Sequence, residues 1–371
     1  MTPSALQVTL NSPRLTEYRG VSVAAAFSDP QVELAALLSG CGVYDLGFRT
    51  RISLAGGDRV RWLNGMVTNN IRDLAVGHGV YAFLLNPQGH ILGDLEAHNI
   101  GESVIVETDR SQMEKILATF DHYIIMDDVE VTNLSDQLTA VGVSGPMGRG
   151  VLSAAGVEFP EPEPMQSFTI ECACECGCLE CTVVRGEGAL RDSYEIWLAP
   201  AHVKQLWDGL VKAGATPVGA EALEMRRILA GVPLYGVDIR ERDLPQETEQ
   251  ARALNFNKGC YVGQEIVERI RSRGSVHRKF TGFVSQAGGP IVAGAKVTVG
   301  EKEVGEVTSA ASVQADGGKR AVALGYIRRE VGLPGREVTI AGAPATVIAL
   351  PAEGTGLLPD ENSLVHAGKS S

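Results

Sequence analysis

The chain has 371 residues, 44% hydrophobic and 21% charged, with 43 glycines; this excludes a disordered chain and leaves room for two or three domains with sizeable cores. The formal net charge of -12 repels nucleic-acid phosphate overall, so no RNA or DNA partner is expected. No basic leader precedes an apolar run and nothing approaches the roughly 18 apolar residues of a membrane helix, so a cytoplasmic protein without a membrane partner is expected, its seven cysteines reduced.

Residues 30–39 read as a short helix with Pro30 near its start, and 51–55 alternate like a strand. A helix over 58–67 carries Val60, Leu63 and Val67 on one side. A hairpin follows: strand 81–85, an Asn86-Pro87-Gln88-Gly89 turn of type I chemistry, and the return strand 91–100. Strand 103–108 leads into a helix whose Met113, Ile116, Leu117 and Phe120 fall at i, i+3, i+4 and i+7. Further strands are expected at 129–133 and 139–144. Residues 158–164, acidic and proline-rich, read as an exposed connector.

Five cysteines then lie within ten residues, Cys172, Cys174, Cys176, Cys178 and Cys181. On one extended strand the first four share a face, neighbours about 6.6 Å apart. Thiolates at that density suit a soft metal; the alternative is an ordinary strand or loop of small side chains. The sequence leaves the metal question unknown. Val203, Leu206, Trp207, Leu210 and Val211 make a helical stripe, and a second helix spans about 220–230, ending at Gly231. From Lys279 the texture changes to short alternating strands at 279–285, 296–300, 302–309, 320–327, 337–340 and 343–350, which predict a small antiparallel barrel or sandwich.

The sharpest motif is Lys258-Gly259-Cys260-Tyr261-Val262-Gly263-Gln264-Glu265, just ahead of a predicted helix over 265–271. A thiol beside an ammonium and near a helix N-terminus is expected to have a depressed pKa; a buried, inert cysteine is the alternative. The octapeptide resembles the K-G-C-[YF]-x-G-Q-E signature of the YgfZ family in the glycine-cleavage T-protein superfamily, together with Leu244-Pro245-Gln246-Glu247 and Tyr235-Gly236-Val237-Asp238 upstream. The resemblance extends through 54–94, 219–231 and the terminal strands.

That resemblance implies an α+β, three-domain GcvT-like cloverleaf with ferredoxin-like lobes and a C-terminal antiparallel β-barrel. The domains would be a folate-binding region over 1–272, made of two interleaved lobes (roughly 1–50 with 140–272, and 51–139), then a barrel over 279–352 and a frayed tail over 353–371. The implied function is binding of tetrahydrofolate or a one-carbon derivative of it, in support of iron–sulfur cluster assembly or repair, with iron–sulfur client or assembly proteins as partners. An aminomethyl- or methyltransferase like the T-protein is the alternative. The resemblance makes Cys260 the functional residue and extends folate contact to Lys258 and Tyr261 within its signature.

Three more positions follow by matching. The T-protein G-E-x-G-[YF]-E-I stretch corresponds to Gly186-Glu187 and Tyr194-Glu195-Ile196, which makes Glu195 the pterin-holding carboxylate; alone, it reads as a surface glutamate on an edge strand. Arg227 matches the arginine of L-R-[LI]-E-A-G, here followed by Ile228 and Leu229, and is expected to contact the pterin or pair with a carboxylate. The T-protein strand I-L-D-D-L reads Ile91-Leu92-Gly93-Asp94-Leu95, so Gly93 replaces one aspartate. Asp94 keeps the other and is expected to face the folate, or else to bond local backbone as a hairpin residue.

Overall fold

The computed structural model describes residues 2–10, 14–174, 177–188, 192–285, 291–315 and 318–352. Two compact units divide the chain. The first holds Met1–Leu84, Gly93–Ala222 and Arg252–Val262; the second holds Leu85–Leu92, Leu223–Ala251 and Gly263–Ser371.

In chain order the first unit begins with a hairpin, β1 (Leu15–Tyr18) and β2 (Val21–Ala24), then α1 (Pro30–Ser39) and β3 (Gly42–Asp45). Helix α1 starts where Pro30 predicts, its Asp29 side chain accepting the Gln31 N–H. Next come β4 (Arg49–Ala55), α2 (Arg59–Met66), β5 (His78–Leu85), β6 (Ile91–Asn99), β7 (Val104–Asp109), α3 (Arg110–Tyr123) and β8 (Glu130–Asn133). These strands form a five-stranded sheet in the order β5-β6-β7-β4-β8. Helix α3 buries Ile116 and Phe120, two members of the predicted stripe.

After β9 (Thr139–Ser144) and α4 (Gly148–Ala154) the 158–164 connector, exposed apart from half-buried Phe159 and buried Pro162, leads to β10 (Ser167–Cys174), β11 (Gly177–Arg185), β12 (Ser193–Leu198), α5 (Val203–Lys212) and β13 (Thr216–Val218). A six-stranded sheet runs β10-β11-β12-β9-β3-β13, its last pair parallel. Helix α5 buries Val203, Leu206, Trp207 and Leu210 in a core shared with Val141, Val143 and Ile196. The cysteine run is not one extended strand. Its two halves pair antiparallel, β10 with β11, and the register sets Cys172 opposite Leu179 and Ile170 opposite Cys181.

Helix α6 (Ala220–Ala230) ends at Gly231, whose φ of +70° supplies the left-handed cap predicted there. In the second unit, α7 (Gln264–Arg273) follows Gly263, whose φ is +81°; a Cβ on this glycine would lie 2.6 Å from the Asn86 carbonyl oxygen, so only glycine serves. The 86–89 turn closes with the Gly89 N–H on the Asn86 carbonyl at 2.9 Å. Strands β14 (Arg278–Ser285), β15 (Lys296–Val299), β16 (Lys302–Ala315), β17 (Gly318–Arg328), β18 (Glu337–Ile340) and β19 (Ala343–Ile348) close a barrel in the order β14-β17-β16-β15-β18-β19. Its interior holds Phe283, Val297, Val307, Ile327, Ile340 and Val347. The α+β class with a terminal antiparallel barrel is thus borne out. The expected frayed tail lies outside the described residues.

Candidate functional site

The first unit gathers charge onto one face of the five-stranded sheet. Strand alternation puts Arg49 and Arg51 of β4 on the same face, as it does Asp94, Glu96 and His98 of β6 and Glu107 and Asp109 of β7. Glu96 stands directly opposite Glu107 in register. Strand β12 of the other sheet brings Glu195 and Trp197 to this cluster. Arg51 Nη2 donates to Glu107 Oε1 at 2.6 Å and to Glu195 Oε2 at 3.3 Å, and its guanidinium stacks 4.9 Å from the Trp197 ring. Arg49 donates to Glu107 Oε1 at 3.2 Å and to Asp109 Oδ1 at 3.1 Å.

Glu195 is not the surface glutamate of an edge strand. Strand β12 is interior to its sheet, and the carboxylate accepts the Trp197 indole N–H at 3.1 Å. Its side chain stays 23% exposed beside the fully buried Arg51. Burial pushes its pKa up to about 7, reinforced by the Glu107 carboxyl and opposed by Arg49 and Arg51. Arg51 Nε and Nη1 and Glu107 Oε2 are buried and make no hydrogen bond among the described residues.

Asp94 sits in mid-strand and bonds side chains, not the local backbone of a turn. Its Oδ2 accepts the Tyr81 hydroxyl at 2.7 Å and its Oδ1 accepts Gln112 Nε2 at 2.7 Å, while Gln112 Oε1 takes the Asp94 N–H at 3.0 Å. Burial and the Asp109 charge hold its carboxyl above the usual range, against these donors. Arg252 lies 4.3 Å over the Tyr81 ring and donates to Glu187 at 2.8 Å. Gly93 points the other way, toward α3: a Cβ there would meet Gln112 Oε1 at 3.1 Å and Ile116 Cδ1 at 3.6 Å. The missing aspartate thus takes nothing from the face that carries Asp94.

Glu96, His98 and Glu107 bring potential metal-ligand atoms within 4.8 Å of one another. Arg49 and Arg51 both donate to Glu107, and two guanidiniums on one carboxylate repel a dication. We read the trio as part of the ion-pair network.

The 252–262 segment is bolted to the end of α2 and the residues after it. Thr68 Oγ1 donates to the Ala253 carbonyl at 2.6 Å, the Asn255 N–H to the Thr68 carbonyl at 3.0 Å, and the Val262 N–H to the Gly65 carbonyl at 3.0 Å. Lys258 Nζ donates to the carbonyls of Asn64, Val67 and Asn69 at 2.6, 2.6 and 2.5 Å. Burial and nearby Arg72 push its pKa down to about 7, but three carbonyl acceptors require the three N–H bonds that only the ammonium has. All three of its N–H donors are engaged by backbone carbonyls, so Lys258 anchors the loop that carries Cys260. Tyr261 packs on it, ring centre 5.1 Å from Nζ. Cys260, between them, is exposed, not sealed in packing.

Arg227 belongs to the second unit. Its Nε donates to Glu224 at 2.9 Å, Nη1 to the Val232 carbonyl and to Asp238 at 2.6 Å each, and Nη2 to Glu224 at 2.5 Å and Ser309 at 2.7 Å. All five N–H donors are engaged, with the carboxylates of Glu224 and Asp238 among the acceptors. Sequence reading missed Arg49, Arg51, Glu107, Trp197, Tyr81 and Arg252. The visible signal was the i, i+2 spacing of Arg49 with Arg51 and of Glu195 with Trp197.

Comparison with known proteins follows the same line. A family profile described as the GCVT N-terminal domain matches residues 13–258, about two thirds of the chain. The aminomethyltransferase of Rubrobacter xylanophilus is 28% identical over 325 residues, covering 85% of this chain and 84% of that protein. That of Herpetosiphon aurantiacus is 27% identical over 290 residues, covering 76% and 78%. Aminomethyltransferase T of the glycine cleavage system from Bartonella henselae shares the fold, with a TM-score of 0.83 over 95% of this chain and 98% of that one at 22% identity.

Proposed function

The chain belongs to the GCVT N-terminal domain family, and from that premise we propose that it binds tetrahydrofolate, or a one-carbon derivative, with Glu195 holding the pterin. The observation that carries this reading is Glu195 itself: a carboxylate set among buried charges, its own edge still open to solvent. Such a group accepts two parallel N–H bonds from an amino-pyrimidinone. The buried free donors of Arg51 and the free Glu107 oxygen suit a heterocycle that carries both acceptors and donors. Trp197, bonded to Glu195, supplies the measurement: added tetrahydrofolate is expected to change indole emission saturably. Unchanged emission together with no heat in calorimetry rejects the reading.

The affinity should depend on pH in a stated direction. Burial holds the Glu195 pKa up at about 7, and pterin N–H donors bind only its ionised form. Binding therefore weakens as pH falls through 7, roughly 30-fold between pH 8 and pH 5.5, and is flat above 8. Affinity that rises on acidification would assign the carboxyl the donor role instead.

Within this reading, the YgfZ-like signature over 258–265 favours support of iron–sulfur enzymes through the exposed Cys260. Cys260→Ala is expected to bind folate as wild type does and to lose at least tenfold in restoring iron–sulfur enzyme activity to cells lacking such a factor. Equal rescue by both proteins removes the thiol from the mechanism. Aminomethyl transfer is the second reading, favoured by the retention of Asp94 on the charged face and by the names of the relatives. It predicts methylenetetrahydrofolate formation from an aminomethyl donor, lost in Asp94→Asn.

A further inference from the structure

The β10–β11 hairpin carries two thiols that the folate reading does not use. Cys172 and Cys181 are buried in the core of the six-stranded sheet with Val183, Ile196 and Leu206. Their Sγ atoms lie 2.8 Å apart, well inside the roughly 3.5–4.0 Å optimum of non-bonded heavy atoms. Ile170 faces Cys181 and Cys172 faces Leu179, so the two cysteines are diagonal neighbours on one face. Diagonal partners ordinarily stand about 7–8 Å apart at Cα, but these side chains lean together. A closing movement of roughly 0.8 Å brings the sulfurs to bonding distance. Strand β10 is the edge strand of its sheet, paired with β11. Local opening of an edge strand gives a small reagent access that the closed core denies.

We propose that Cys172 and Cys181 form an oxidisable pair, a site of reversible modification by small disulfides of the glutathione type. Cys172 is the attacking group, because the hydrogen bond from Cys181 holds its thiol below the ordinary range. The Cys172 thiolate attacks one sulfur of the external disulfide, forms a mixed disulfide and expels a small thiolate, which takes up a proton. Cys181 then loses its proton to solvent and attacks the Cys172 sulfur, expelling the second small thiol. Two protein thiols are oxidised and one external disulfide is reduced to two thiols. The bond ties β10 to β11, the strand that sets Val184 opposite Glu195 of β12.

The test treats the full chain with glutathione disulfide, blocks remaining thiols and digests it after glutamate. Cleavage after Glu171, Glu175, Glu180 and Glu187 puts Cys172 and Cys181 on separate fragments. The expected product is fragment 172–175 linked to fragment 181–187, with fragmentation spectra placing the bond on Cys172, not Cys174. In Cys181→Ser the reaction is expected to stop at glutathione on Cys172. Oxidation is also expected to slow amide exchange across the hairpin at least tenfold, reversed by dithiothreitol. A bond that instead uses Cys174, Cys176 or Cys178 overturns the proposal. So does full alkylation of both thiols after oxidant, or one equivalent of Zn(II) that shields them from it.

Discussion

Replacing Glu195 with alanine is expected to weaken tetrahydrofolate binding about 100-fold or more, measured by calorimetry or Trp197 emission. Hydrogen bonds to a charged group contribute about 1.5–3 kcal/mol each, and two lost together reach the roughly 2.7 kcal/mol that a hundredfold change requires. The fold should survive. Arg51 keeps its 2.6 Å bond to Glu107, so no guanidinium is left buried without a carboxylate. Trp197 loses one acceptor, which costs about 1 kcal/mol. Glu195→Gln sharpens the result: the amide keeps the shape but presents a donor where the pterin also donates. It should lose most of the affinity and all of the pH dependence near 7. An alanine variant that binds like wild type would dismiss Glu195 as the pterin carboxylate.

Arg227→Ala is expected to destabilise the protein by about 3–5 kcal/mol, read as a shift of the denaturant midpoint at constant slope. Asp238 is fully buried and accepts Arg227, the Leu234 N–H and the hydroxyls of Thr308 and Ser309. Removing the guanidinium strands that carboxylate, and the Val232 carbonyl loses its donor as well. The same truncation at a ligand-facing arginine would weaken folate binding and leave stability within a fraction of a kcal/mol. The two roles thus separate on two instruments. Arg227→Ala combined with Asp238→Asn should recover part of the loss, because the buried charge is gone with its partner.

Lys258 and Arg227 show how a motif residue can match and still do something other than its type suggests. Each stands out in sequence as a cation beside a functional signature. Each has every N–H donor engaged by carbonyls, carboxylates or a hydroxyl of its own unit. Spacing along the chain cannot reveal this, because the Lys258 acceptors lie some 190 positions earlier. The cysteine run teaches a related lesson. Its spacing suited one extended strand, but the antiparallel pairing of β10 with β11 divides it between two strands, and register then brings the Cys172 and Cys181 sulfurs together.

The sequence by itself determined the periodic elements: the α1 start at Pro30, the 86–89 turn, the α5 stripe, the Gly231 cap and the strands of the terminal barrel. These rest on local physics, since φ restriction, turn chemistry and the 2.0 and 3.6 periods act over a few residues. It also singled out Glu195, Asp94 and Cys260, by motif. Only the tertiary structure decided what surrounds them. Arg49 and Arg51 reach Glu107 across more than fifty residues, and Arg51 reaches Glu195 across 144. The protonation of Glu195 is a sum over burial and charges from several strands, and no window of sequence contains that sum.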